Sequence, residues 1–247
     1  MSRNQKYYPW IALQQYTELS SPSRRVVNPS LYGTAIPDVP LMPTTLLRLE
    51  KLLSASVVDL GAISAIIRSD LGLTIHLLRW SGEQRFDGPD AMPSIEGIVI
   101  HAGIENLKAL VAGVPVLSEH PAGEAGVNVC ARFWMHSHLI ALIAQELAAG
   151  ESKITLEGAF LAGLLHQIGK LPILLGWRIP ELEASDLGEL GYALAQAWNF
   201  PATLASVIRG HEEVSGHLPS YSLWKIATSA AEWVQLMELM LGGNADR

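Results

Sequence analysis

Disulfide chemistry is the first thing this 247-residue chain lacks, since Cys130 is its single cysteine and cannot pair within the molecule. That usage fits a reducing cytoplasm better than an oxidising compartment. The opening Met1–Trp10 has no apolar core of the kind a signal peptide carries, so we expect no export. Long apolar runs are also missing. The most hydrophobic stretch, Phe160 to Trp177, is broken by His166, Gln167, Lys170 and several glycines, whereas a spanning helix needs about 20 apolar residues. We read it as buried core and expect no membrane contact.

Positive charge is scarce: 17 Lys and Arg stand against 24 Asp and Glu, for a formal net charge of −7. No basic cluster interrupts the acidic balance, and a nucleic-acid binder presents a basic face to phosphates, so nucleic acid is not expected as a partner. No Gly-rich phosphate loop occurs, and Cys130 has no histidine at an activating spacing. Strand-like alternation, internal repeats and low-complexity tracts are absent too, which points to an all-α, compact packing of short helices.

What is present is apolar material, 49% of residues, enough for a substantial core. Residues 1–36, with Tyr7, Tyr8 and Trp10 followed by Pro22, Pro29 and Gly33, read as an N-terminal arm. From Pro43 the spacing turns helical, with Leu46, Leu49 and Leu53 on one side. Ser56 and Asp59 have capping-box spacing, and Asp70, Ser94 and Thr155 stand where N-caps belong. Gly103 predicts a turn within the helical run that follows Ser94. Pro115, Pro121, Gly123 and Gly126 mark a break, which divides a domain over 37–243 into lobes at 37–120 and 126–243. In the second lobe helices are predicted near 128–149, 156–167, 186–198, 201–209 and 220–241.

Two histidines stand out. His136 shares a stripe with Ile140, Ile143 and Leu147, so it points inward, and His166 closes the helix that Thr155 opens. Gly169, just past that helix, is expected to end it in the left-handed conformation. Gly158, Ala159, Ala162 and Gly163 leave room for another helix to approach closely. Taken singly, each histidine reads most simply as a satisfied core or interface residue.

Phe133-Trp-Met-His136-Ser, followed by Glu157-Gly-Ala-Phe-Leu-Ala-Gly-Leu-Leu-His166-Gln-Ile-Gly-Lys170, resembles the HD phosphohydrolase superfamily and in particular its HDOD branch. Ile67-Arg-Ser-Asp70, Leu77-Leu-Arg-Trp80 and Ser94-Ile-Glu-Gly-Ile-Val99 extend the likeness upstream, so that it covers residues 37–235. Catalytic HD proteins bind divalent metal through a histidine, a His-Asp pair and a distant aspartate. The resemblance puts these at His136, His166, Gln167 and Thr228, so both anionic ligands are replaced by neutral side chains. One carboxylate about 4 Å from a dication, at an effective dielectric near 20, is worth about 8 kcal/mol before desolvation. Without the pair no conventional site for a hard cation is expected, and without metal nothing activates water for phosphoester hydrolysis.

The resemblance therefore implies a non-catalytic bacterial signal-transduction module with a degenerate pocket, no cofactor, and a signalling protein as partner. Candidate contact elements are the arm at Tyr7, Tyr8 and Trp10 and the C-terminal helix with Trp224, Trp233, Leu236, Met237, Leu239 and Met240. Two alternatives stand beside this reading: a metal-dependent phosphohydrolase, and a pocket that senses a nucleotide or cyclic dinucleotide without cleaving it. His138, His211, Asp186 and Glu232 are auxiliary candidates for a shifted site. For His211, after Gly210, a helix-capping role is the simpler one. His76, His101, His120 and His217 belong to no constellation.

Overall fold

A computed structural model describes residues 36–84, 92–117, 123–151, 154–177, 186–210 and 219–242. The N-terminal arm up to residue 35 lies outside them, as do His120, His211 and His217. The described residues are helical, and the only extended pairing among them is one parallel bridge between Leu41 and Val116.

The first half holds α1 (Pro43–Leu53), α2 (Leu60–Arg68), α3 (Leu71–Gln84) and α4 (Ile95–Gly113). Proline at the first position of α1 removes an N–H that would have had no partner. Asp59 caps α2 by accepting from Ala62 N at 2.9 Å. The predicted cap was Ser56, with Asp59 as its box partner. One turn later is correct, because Ser56 precedes a stretch that has not yet become helical. Asp70 and Ser94 cap as predicted, accepting from Leu73 N at 3.0 Å and Gly97 N at 3.2 Å. Gly103 bends α4 with φ 67°, a conformation that costs a residue bearing Cβ dearly.

Asp70 does more than cap. Its second oxygen accepts from Met42 N at 2.8 Å, so one fully buried carboxyl joins the starts of α1 and α3. Burial pushes its pKa up, while the N–H groups of Leu73 and Met42 and the Thr45 hydroxyl pull it down. Two further bonds strap the ends of this half together: Leu41 N donates to Pro115 O and Leu117 N to Leu41 O, both at 2.9 Å.

The second half holds α5 (Gly123–Leu147), α6 (Leu156–Leu165), a 3-10 turn at Ile168–Lys170, α7 (Leu171–Leu174), α8 (Leu187–Ala197), α9 (Ala202–Arg209) and α10 (Pro219–Gly242). Helix α6 is the axis. Every residue from Gly158 to Leu165 is buried, and its small residues work as predicted: a Cβ at Gly163 would lie 2.8 Å from Ala141 Cα of α5. On its other side Ala159 and Ala162 meet Leu223 and Ala227 of α10, while Ile140 and Ala144 of α5 meet Ala230 and Val234. The main buried cluster runs without interruption from Val39 to Ile208, so the two halves share one core. No single helix among the described residues is long and apolar enough to cross a membrane.

Candidate functional site

The chemistry-bearing residues converge where α6 ends. Its last carbonyls are left without helical partners, and His166 takes one of them, Nδ1 donating to Gly163 O at 2.8 Å. That bond fixes the tautomer with the lone pair on Nε2, and Nε2 is buried with no partner among the described residues. Burial lowers the His166 pKa to about 4; the Gly163 bond opposes the shift, and the charges of Lys170 and His136 add to it. The ring is neutral at pH 7.

Gln167 follows. Its Oε1 accepts from Lys170 Nζ at 2.8 Å across the 3-10 turn, and burial pulls the lysine pKa down. Gly169, inside this turn, does not adopt the left-handed conformation expected of it, since the positive-φ glycines among the described residues are Gly103, Gly150, Gly176 and Gly210. Its role is close approach: a Cβ there would sit 1.9 Å from Leu187 O and 3.0 Å from Gly191 N of α8. The start of α8 thus lies directly on the His166–Lys170 turn.

His136 faces α10 rather than the centre of the core. Its Nδ1 donates to Glu238 Oε1 at 3.0 Å. Thr228, aligned with the last aspartate, lies ten residues earlier on the same helix, about 15 Å by helical rise. Its neighbour Ala227 packs with Ala148 and Ala159. The carboxylate that meets His136 is therefore Glu238, and neither Thr228 nor the exposed Glu232 takes that place.

The auxiliary candidates disperse. His138 is two residues from His136 and so turns away from it, its Nδ1 donating to Arg68 O at 3.2 Å and its ring meeting Phe160 edge-on. Asp186 caps α8 through Gly188 N at 2.8 Å. His76 bonds to Val39 O at 2.9 Å, and His101 lies beside Trp80. On the C-terminal helix Trp224 packs against the small cluster that Ala159 and Ala162 of α6 form with Leu223 and Ala227, whereas Trp233, Leu236 and Met237 are exposed.

One cluster was not foreseen. The Arg68 guanidinium of α2 pairs with Glu157 of α6, donates to Gln145 Oε1 at 3.1 Å and stacks 3.7 Å over Phe160. The second oxygen of Glu157 accepts from Ile95 N at 3.2 Å, where a carboxylate meets the positive end of α4. Its members come from α2, α4, α5 and α6, separated by up to 89 residues, and local spacing gives no hint of such a node.

A divalent metal does not fit the residues around His166. The imidazole keeps a ligand-ready Nε2, but its neighbours bring a lysine ammonium against Gln167 and no carboxylate. Among the described residues no three His, Cys, Asp or Glu side chains are grouped to hold an ion.

The chain has known counterparts in sequence and in fold. The HDOD domain model matches residues 39–178, more than half the chain, and the chain belongs to that family. An uncharacterized protein of Treponema pallidum is 26% identical over 208 residues, covering 74% of this chain and 39% of its own length. The chain thus spans well under half of that relative. Two crystal structures of the MmoQ response regulator of Methylococcus capsulatus superpose with TM-scores of 0.65 and 0.61 at 19% identity. They cover 81% and 80% of this chain, and 87% and 84% of theirs. At that identity the likeness is one of fold.

Proposed function

We propose that this HDOD protein is a non-catalytic regulatory module of the bacterial cytoplasm that acts by binding a signalling protein. The observation that carries the reading is the Lys170 ammonium 2.8 Å from Gln167 Oε1, beside a neutral His166. A hard dication needs anionic oxygen at this point, and the site offers an amide already engaged by a cation. Without bound metal no group here brings the pKa of water toward 7, so phosphoester hydrolysis by the HD route has no nucleophile. Family membership and the likeness to a response regulator support a signalling role.

The same charges favour a second use of the pocket. Lys170 suits the phosphate of a nucleotide, and the unpartnered His166 Nε2, whose lone pair accepts, suits an N–H or O–H donor of the same ligand, held without cleavage.

Three measurements separate these readings. Elemental analysis of protein purified without chelator should find Mn, Fe, Zn and Ni far below one equivalent, and phosphodiester assays with added Mn²⁺ should show no turnover. Stoichiometric metal with turnover would overturn the proposal. Calorimetric titration with nucleotides and cyclic dinucleotides reports on the anion pocket, and silence across the set removes that second use.

A further inference from the structure

On α1 and α4 single exposed apolar residues, Leu47 and Ile100, stand among charges: Arg48, Glu50 and Lys51 on α1, and Glu96, Glu105 and Lys108 on α4. Helix α5 instead exposes apolar residues in register along one line. Met135, Leu139 and Leu142 are 69%, 38% and 43% exposed, and they succeed one another at four and three residues. At 100° per residue the three lie within a narrow stripe, on the side of α5 away from α6. Arg132 and Glu146 continue the stripe at either end, and both are exposed. The alternation of four and three is the spacing with which one helix packs lengthwise on another.

The charges define the partner. Arg132 and Glu146 stand equally far from Leu139, seven residues before it and seven after. A second copy of the stripe laid antiparallel on the first, with Leu139 at the centre, sets Arg132 of each chain against Glu146 of the other. Met135 and Leu142 then fall between the two charged ends. Parallel pairing would oppose Arg132 to Arg132 and Glu146 to Glu146. Complementary ends around an apolar middle are what a two-fold, self-complementary contact requires. We propose that α5 is a homodimer interface, in which two copies of this helix pair antiparallel about an axis passing beside Leu139. The surface is distinct from the His166 pocket, and its test is independent of the pocket's function.

Sedimentation velocity of the 247-residue chain over a range of concentrations should show a reversible dimer. Leu139→Asp should yield monomer with unchanged helical circular dichroism. Because both symmetric pairs change from attraction to repulsion, Arg132→Glu or Glu146→Arg alone should weaken the dimer roughly tenfold, and the double swap should restore it. Leu139→Cys should cross-link to itself under diamide, while Cys on exposed Val57 should not. The native thiol does not compete, because Cys130 is buried and its pKa is pushed up to about 11. A chain that stays monomeric at every concentration overturns the proposal. So does a dimer that ignores Leu139→Asp or that the double swap fails to rescue.

Discussion

Replacing Glu157 with Ala should destabilise the protein more than any other single surface-accessible charge removal, because one carboxylate ties α6 to both α2 and α4. The change strips Arg68 of its ion-pair partner and leaves Ile95 N without its acceptor at the start of α4. Exposed ion pairs contribute about 0.2–1 kcal/mol, and breaking a buried one costs about 3–5 kcal/mol. The two side chains keep 21% and 23% of their exposure, so solvent screens the pair in part and the cost falls between those limits. We expect a loss of about 2–3 kcal/mol, a fall in Tm of roughly 4–12 °C for a chain of this size. Urea denaturation followed by circular dichroism measures it. Glu157→Gln should cost about half as much, since the amide oxygen still accepts from Ile95 N. Arg68→Ala should exceed Arg68→Lys, because only the planar guanidinium both pairs and stacks on Phe160. A Glu157→Ala variant within about 0.5 kcal/mol of the parent, the usual range for an ordinary surface change, would refute this account of how the halves are joined.

Two further outcomes follow from the His166 turn. Gly169→Ala sets a methyl group 1.9 Å from the Leu187 carbonyl oxygen, a backbone atom that cannot swing aside. We expect a loss above the usual overpacking cost of about 1–3 kcal/mol, read by thermal melting, and a loss below 1 kcal/mol would mean that α8 does not rest on the turn. His166, with its pKa lowered from 6.5 to about 4, binds its proton more readily unfolded than folded. Its contribution, about 3 kcal/mol, is therefore complete above pH 6.5 and disappears as pH falls from 6.5 toward 4. His166→Gln should flatten that part of the stability profile, and an NMR titration showing its ring protonated at pH 6 would contradict the assignment.

Sequence reading succeeded where the physics is local. Asp70, Ser94 and Thr155 were legible as caps because each bonds to an N–H three residues on. The small residues of α6 announced a close helix contact, and α8 and α9 fell within a residue of their predicted bounds. It faltered where a choice depended on what lies across a gap. Counting turns within α10 suggested Glu232 near the pocket, but the crossing of α10 over α5 selects Glu238. Gly169 read as a helix terminator because glycine there has a local explanation, whereas its cause is the α8 backbone some twenty residues downstream. Glu157 entered the sequence reading only as the first residue of the run ending in His166, and its two partners lie 89 and 62 residues away.

The strap at Leu41 has a mechanical corollary. With Leu41 bonded to both Pro115 and Leu117, the strand entering α1 and the strand leaving α4 share one knot. Whatever pulls on the polypeptide ahead of Leu41 therefore pulls on the segment leaving α4, and, because Leu41 and Leu117 are themselves buried, on the core that both halves share.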